Sequence, residues 1–226
     1  MNSHIKIWND FCADMEIVDS SAPLFDSGNS GIVATKEIGQ QNRRHVICRS
    51  NDMESLIISE VNKLVSDWET GPHQYDGLIY MMFLLRNDKV LPLYIGKTET
   101  LGKGKGNLSA NIKNLSKDKS KFARWGDNYA YHIGDLSAAV LPGHDPAKVT
   151  RKYQEWGKSL FTDIQVENPK LREPVYFWTR AWNSKDVGIW KEYGPTKLTF
   201  LEYLMIGVAS SAFPEFLLNI EGRNRA

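Results

Sequence analysis

The chain has 226 residues, 42% of them apolar, seven tryptophans and a net charge of +1, which suits one folded domain with elaborations and excludes a disordered chain. Its two cysteines, Cys12 and Cys48, lie far apart with no CxxC partner, so a disulfide scaffold and a Cys-His zinc framework are excluded and a reducing compartment is expected. No run reaches bilayer-spanning length and no basic-then-apolar leader opens the chain, so the expectation is a cytoplasmic protein with no membrane partner.

Charge is distributed unevenly. Residues 1–70 carry eleven acids against six Lys and Arg, whereas Lys97 to Arg124 holds eight bases against Glu99 and Asp118, the pattern of a local anionic partner. In chain order, Ser27-Gly28-Asn29-Ser30-Gly31 is a loop by composition, and Arg43 to Arg49 reads as a short strand with basic flanks. Ser50 or Asn51 caps a helix near 52–69, in which Leu56, Ile57, Val61, Leu64, Val65 and Trp68 recur at helical spacing and Gly71-Pro72 ends the run. Two apolar stretches follow, Leu78 to Leu85 and Val90 to Ile95, joined by Arg86-Asn87-Asp88-Lys89. They predict a β-hairpin with buried strands, and Tyr80 and Tyr94 stand at similar distances from its turn.

Gly96-Lys97-Thr98 mimics the end of a P-loop, but that motif needs a glycine at position 91, where the chain has Leu91. Nucleotide binding is rejected on that ground. Gly102-Lys103-Gly104-Lys105-Gly106 instead makes a cationic loop suited to a phosphate backbone. A short helix over Asn107–Leu115, a basic turn over Lys117–Lys121 and a strand-like alternation of Tyr129, Tyr131 and Ile133 come next. A helix is expected over Tyr153–Phe161 and a third strand over Pro174–Trp182. Trp182, Trp190 and Tyr193 either pack over a neighbouring element or stack on bases. Thr196 is the expected cap of a last helix whose stripe is Leu198, Leu201, Met205 and Val208, and Glu202 falls within or beside that stripe, where a carboxylate needs a partner or a cation.

GLIY at Gly77–Tyr80 and LYIGKT at Leu93–Thr98 resemble the paired signatures of the GIY-YIG nuclease family, with Leu78 in place of the usual Ile. Phe200–Ile206 is similar to the helix on which that family carries its metal-binding glutamate, and Phe213–Asn219 to its closing segment. The resemblance spans Gly77 to Asn219. It implies an α+β fold, a small antiparallel three-stranded sheet flanked by helices. The nuclease domain would occupy 71–226, with insertions near 99–121 and 136–173, behind a helical N-terminal extension, 1–70, of unknown role.

The implied function is a metal-dependent DNA endonuclease, a phosphodiester hydrolase of restriction or anti-phage defence. The alternative is a DNA-binding or regulatory subunit of the same fold, inactive without a partner. Carried over position by position, the catalytic residues are Tyr80, Tyr94, Lys97, Arg124 and Glu202, with Glu202 holding Mg²⁺ or Mn²⁺. Arg124 lies beyond a lysine-rich insertion, further along than the family's arginine. Tyr129, His132 and Asn219 are supporting candidates. Lys103, Lys105, Lys113, Lys117, Lys119 and Lys121 are the DNA-binding set. The implied partners are DNA, duplex before RNA, and a second copy or a defence-system protein. The residues leave open which tyrosine is the general base; the resemblance favours Tyr80.

Overall fold

The computed structural model describes residues 3–39, 44–102, 104, 106–113 and 132–223. Helix α1 (Ser3–Asp14) leads to strands β1 (Ala22–Pro23), β2 (Thr35–Ile38) and β3 (Arg44–Ile47), then to helix α2 (Asn51–Thr70). The hairpin β4 (Tyr75–Arg86) and β5 (Lys89–Glu99) follows, then α3 (Ala110–Lys113), α4 (His132–Val140), α5 (Arg151–Leu160), β6 (Val175–Asn183) and α6 (Leu198–Ala212). The class is α+β. The central sheet is antiparallel with order β1-β6-β4-β5, while β2 and β3 form a separate ribbon. Four strands stand where the sequence predicts three, because Ala22 and Pro23 pair with Phe177 and Tyr176. Two residues with no alternation of their own carry no strand signal, and a proline is tolerated there only because the strand is an edge. The strand-like alternation ending at Ile133 falls differently: Ile133 lies in α4, and Tyr129 and Tyr131 are outside the described residues.

Both faces of the sheet are covered. Leu78, Tyr80, Met82 and Leu84 join Ile57, Val61 and Leu64 of α2 and Trp156 and Leu160 of α5 in one cluster. Ile79, Met81, Phe83 and Ile95 join Trp8 and Phe11 of α1 and Leu198, Leu201 and Met205 of α6 in another. The central strand is therefore buried at eight consecutive residues, Gly77–Leu84, which explains why its sequence is a continuous apolar run. The turn residues Asn87 and Asp88 both have positive φ, 49° and 59°, as a two-residue turn matched to strand twist requires. α2 is capped by Ser50, whose Oγ accepts from Met53 N–H at 3.0 Å, and ends at Gly71 with φ 94°.

Two bulges retune the sheet. Phe83 pairs with Pro92 but Met82 with Tyr94, so Leu93 is one residue extra in β5. Tyr75 pairs with Asn183 but Gly77 with Trp182, so Asp76 is extra in β4. The second bulge turns the Asp76 carboxylate onto α6, where Oδ2 accepts the Leu198 N–H at 3.2 Å and Oδ1 pairs with Lys197 Nζ at 3.3 Å. Asp76 thus caps α6 from a distant strand. The expected cap, Thr196, is buried and bonds Gly194 O and Gly188 N–H instead.

The sheet's open edges are closed by side chains and by the C-terminal main chain. Glu60 of α2 accepts the Ala181 N–H of β6 at 2.7 Å. At β5, Leu93 O accepts the Leu218 N–H at 2.7 Å, and the Asn219 amide takes both groups of Ile95, accepting its N–H at 2.9 Å and donating to its O at 2.8 Å. Among the described residues, no helix is long and apolar enough to cross a membrane. Asn219→Ala leaves a buried N–H and C=O of Ile95 without partners. It is expected to cost about 2–4 kcal/mol of stability, taking roughly 1–2 per orphaned group, read by urea denaturation.

Candidate functional site

Strand parity decides which of the expected site residues meet. Successive side chains of a strand point to opposite faces, so without the Leu93 bulge Tyr94 would face away from Tyr80. The extra residue places Tyr94 opposite Met82, and the two tyrosines share the α2–α5 face with their ring centroids 6.4 Å apart. Tyr80 is 5% exposed and stacks on Phe177 at 5.9 Å. Tyr94 is half-buried, 4.8 Å from Trp156, and Lys152 Nζ lies 5.1 Å from its ring centroid.

Lys97 has the opposite parity. It pairs with Ile79 and lies on the α6 face, where its ammonium meets Glu99 Oε1 at 2.6 Å. Thr199 of α6 donates to the same oxygen at 3.4 Å. Glu202, one helical turn further, is half-buried beside this pair. Burial pushes its carboxyl above the ordinary carboxylate range. The Lys97 ammonium and main-chain N–H pull it down, while Glu99 and Glu221 push it further up. Three carboxylates around one ammonium leave this corner short of positive charge. Among the described residues no three His, Cys, Asp or Glu side chains converge to hold a metal ion, so Glu202 offers a single hard oxygen ligand and not a protein cage.

The two groups of residues meet across Gly96. It pairs directly with Tyr80, and a Cβ built on it would lie 2.7 Å from the Tyr80 Cζ and Oη. The phenol therefore lies flat over Gly96 and carries its hydroxyl toward the outer strand, next to the residue whose side chain turns to Glu202. Gly77 is equally constrained: its φ is 154°, and a Cβ there would strike Thr98 O at 2.1 Å. The glycines of both signature stretches answer a packing demand of the hairpin itself.

A cleft of about 700 Å³ opens at the end of the hairpin, with Trp68, Tyr75, Asp76, Glu99 and Thr199 among its walls. Glu99 belongs to both the cleft wall and the Lys97 pair. Asn219 bonds β5 two residues before Lys97. His132 is the first residue of α4, and Lys113, exposed, ends α3. Arg124, Tyr129, Lys103, Lys105, Lys117, Lys119 and Lys121 lie outside the described residues. Sequence reasoning assigned no role to Glu99, Thr199 and Lys152. Glu99 was legible, since a residue two after Lys97 on a strand shares its face; the other two are tertiary neighbours with no local signal. Comparison with protein-family models, with curated proteins and with solved structures returned no match to this chain.

Gly96→Ala drives a methyl into the Tyr80 ring and is expected to cost about 1–3 kcal/mol in thermal or urea unfolding. Adding Tyr80→Leu should recover part of that loss, whereas a purely backbone effect would not be relieved. A second expectation concerns pH. A carboxyl whose folded pKa exceeds its unfolded value holds its proton more tightly when folded, so its contribution favours the fold on the acid side. That contribution falls as pH rises from the ordinary to the raised value. The unfolding free energy of wild type minus that of Glu202→Gln should therefore decline through this interval and be flat on either side, in parallel urea series.

Proposed function

We propose that this protein is a metal-dependent endonuclease of the GIY-YIG type, hydrolysing phosphodiester bonds of DNA in restriction or anti-phage defence. The observation that carries the reading is the half-buried Glu202 carboxylate, raised by burial and set beside Lys97 of the YIGKT stretch. A carboxylate in that state gains from a cation. The donor set fits Mg²⁺ or Mn²⁺ held by one protein oxygen, with water and phosphate completing the coordination. The ion supplies Lewis-acid stabilisation of charge on the phosphate and leaving oxygens.

The chain's own residues do the rest. Lys97 adds positive charge beside the phosphate. Glu99, paired to its ammonium, fixes where that charge sits. Tyr80 or Tyr94 orients the attacking water and takes its proton; a phenol, which titrates near pH ~10 when unperturbed, does this only beside positive charge. Lys152 brings such charge to Tyr94. Arg124 is assigned the clamp on a non-bridging oxygen from the resemblance alone.

One observation favours a second reading, a DNA-binding or regulatory subunit that needs a partner for cleavage. Tyr80 is almost fully buried, and the tyrosine pair and the Lys97–Glu202 pair lie on opposite faces joined only at Gly96.

The test is cleavage of supercoiled plasmid by purified protein with Mg²⁺ or EDTA. Metal-dependent nicking is expected, reduced about 100- to 1,000-fold in Glu202→Ala and in Lys97→Met, the range for removing one electrostatic stabiliser. Circular dichroism of each variant checks folding. Folded wild type that leaves plasmid intact yet binds it in a salt-sensitive way overturns the endonuclease reading in favour of the subunit.

A further inference from the structure

The charged corner holds one ammonium between carboxylates that compete for it. Lys97 is engaged at both ends of its length. Its main-chain N–H donates to Glu202, while its side chain, 20% exposed, carries the ammonium to Glu99 Oε1 at 2.6 Å. The same ammonium acts on Glu202 through its charge, so Glu202 is the alternative acceptor. Glu221 also acts on Glu202, and Lys197, the next base along, is engaged by Asp76 at 3.3 Å.

Which carboxylate takes Lys97 decides what Glu202 can bind. An ammonium and a divalent cation need the same oxygens. A hydrogen-bonded pair of opposite charges is also stronger in a half-buried place than at the surface. Left to Coulomb attraction alone, Lys97 would close on Glu202 and act as its counter-ion. Two features favour Glu99. It stands two residues further along the same strand face, and Thr199 of α6 donates to its Oε1 at 3.4 Å, which fixes that oxygen between strand and helix.

We propose that Glu99 is a positioning residue: it holds the Lys97 ammonium off Glu202 and thereby keeps that carboxylate open to a divalent cation. Without Glu99 the lysine itself becomes the cation of the site. The inference rests on the nuclease reading for what the divalent cation does there, whereas the withholding of Lys97 is measured with no metal present. Glu99 is 57% exposed, and Glu99→Gln removes its charge while keeping an acceptor for Thr199. Glu99→Thr repeats the loss of charge with a side chain suited to a strand.

In EDTA and mildly alkaline buffer, urea unfolding is measured for Lys97→Met, Glu202→Gln and the two together, first with Glu99 and then with Glu99→Gln. With Glu99 in place the two substitutions should act almost independently, coupled by about threefold or less in the unfolding constant. With Glu99→Gln the coupling should rise to about tenfold or more, the size of a hydrogen bond between charged groups. Binding of Mn²⁺ is then titrated by electron paramagnetic resonance. Glu99→Gln should weaken it at least about tenfold, and adding Lys97→Met should restore it to within about threefold of wild type. Lys97→Met alone should change it by about threefold or less.

Equal factors for Lys97→Met with and without Glu99 overturn the proposal, because the charges then act separately. So does a loss of Mn²⁺ binding in Glu99→Gln that Lys97→Met leaves unrelieved, since Glu99 is then a ligand itself. Coupling that appears in Glu99→Gln while wild type neither binds Mn²⁺ nor nicks plasmid removes the nuclease reading and keeps the restraint on Lys97. Plasmid nicking with no coupling in either background does the reverse.

Discussion

The outer strand of the hairpin depends on hydrogen bonds made to it by side chains and by the C-terminal main chain. An edge strand presents N–H and C=O groups on one side that must be paired or hydrated. Here the Asn219 amide imitates a neighbouring strand by bonding both groups of Ile95, Leu218 bonds Leu93, and the next outward N–H, that of Lys97, faces the Glu202 carboxylate. The C-terminal segment and α6 are thereby fixed against the same few residues of β5. Positioning of Glu202 relative to Lys97 follows from this, because the helix that carries one is tied to the strand that carries the other.

The same strand mediates between two chemical environments. On one face, Tyr80 and Tyr94 sit among Phe177, Trp156 and the Lys152 ammonium. On the other, Lys97, Glu99 and Glu202 form a charged corner that shares Glu99 with the wall of a cleft. Gly96 separates them with no side chain of its own. There the Tyr80 phenol lies within van der Waals reach of the strand that carries the charged corner.

Much of the framework was legible in the sequence, because the signals were local. Continuous apolar runs around Asn87-Asp88 gave the hairpin, helical periodicity gave α2 and α6, and Glu202 stood out as a carboxylate beside an apolar stripe. What stayed hidden is tertiary. β1 is two residues long and exists because β6 offers it an edge. Asp76 caps α6 across more than a hundred residues of chain, displacing the local candidate Thr196. The Leu93 bulge has only the neighbouring Pro92 as a cue, yet without it the two tyrosines would not share a face. The exposure of Tyr193 and burial of Trp182, near neighbours of similar character, were likewise decided by packing and not by pattern.

That bulge sets the phase of everything after it. A strand alternates with a period of two, so one inserted residue inverts the facing of every side chain from Tyr94 to Glu99 relative to the turn. Between Tyr80 and Gly96 the chain behaves as a counted length, in which parity and not identity assigns each residue its environment. Point changes of similar shape are absorbed there, whereas a single residue gained or lost exchanges the two faces unless, as at Leu93, a bulge takes it up.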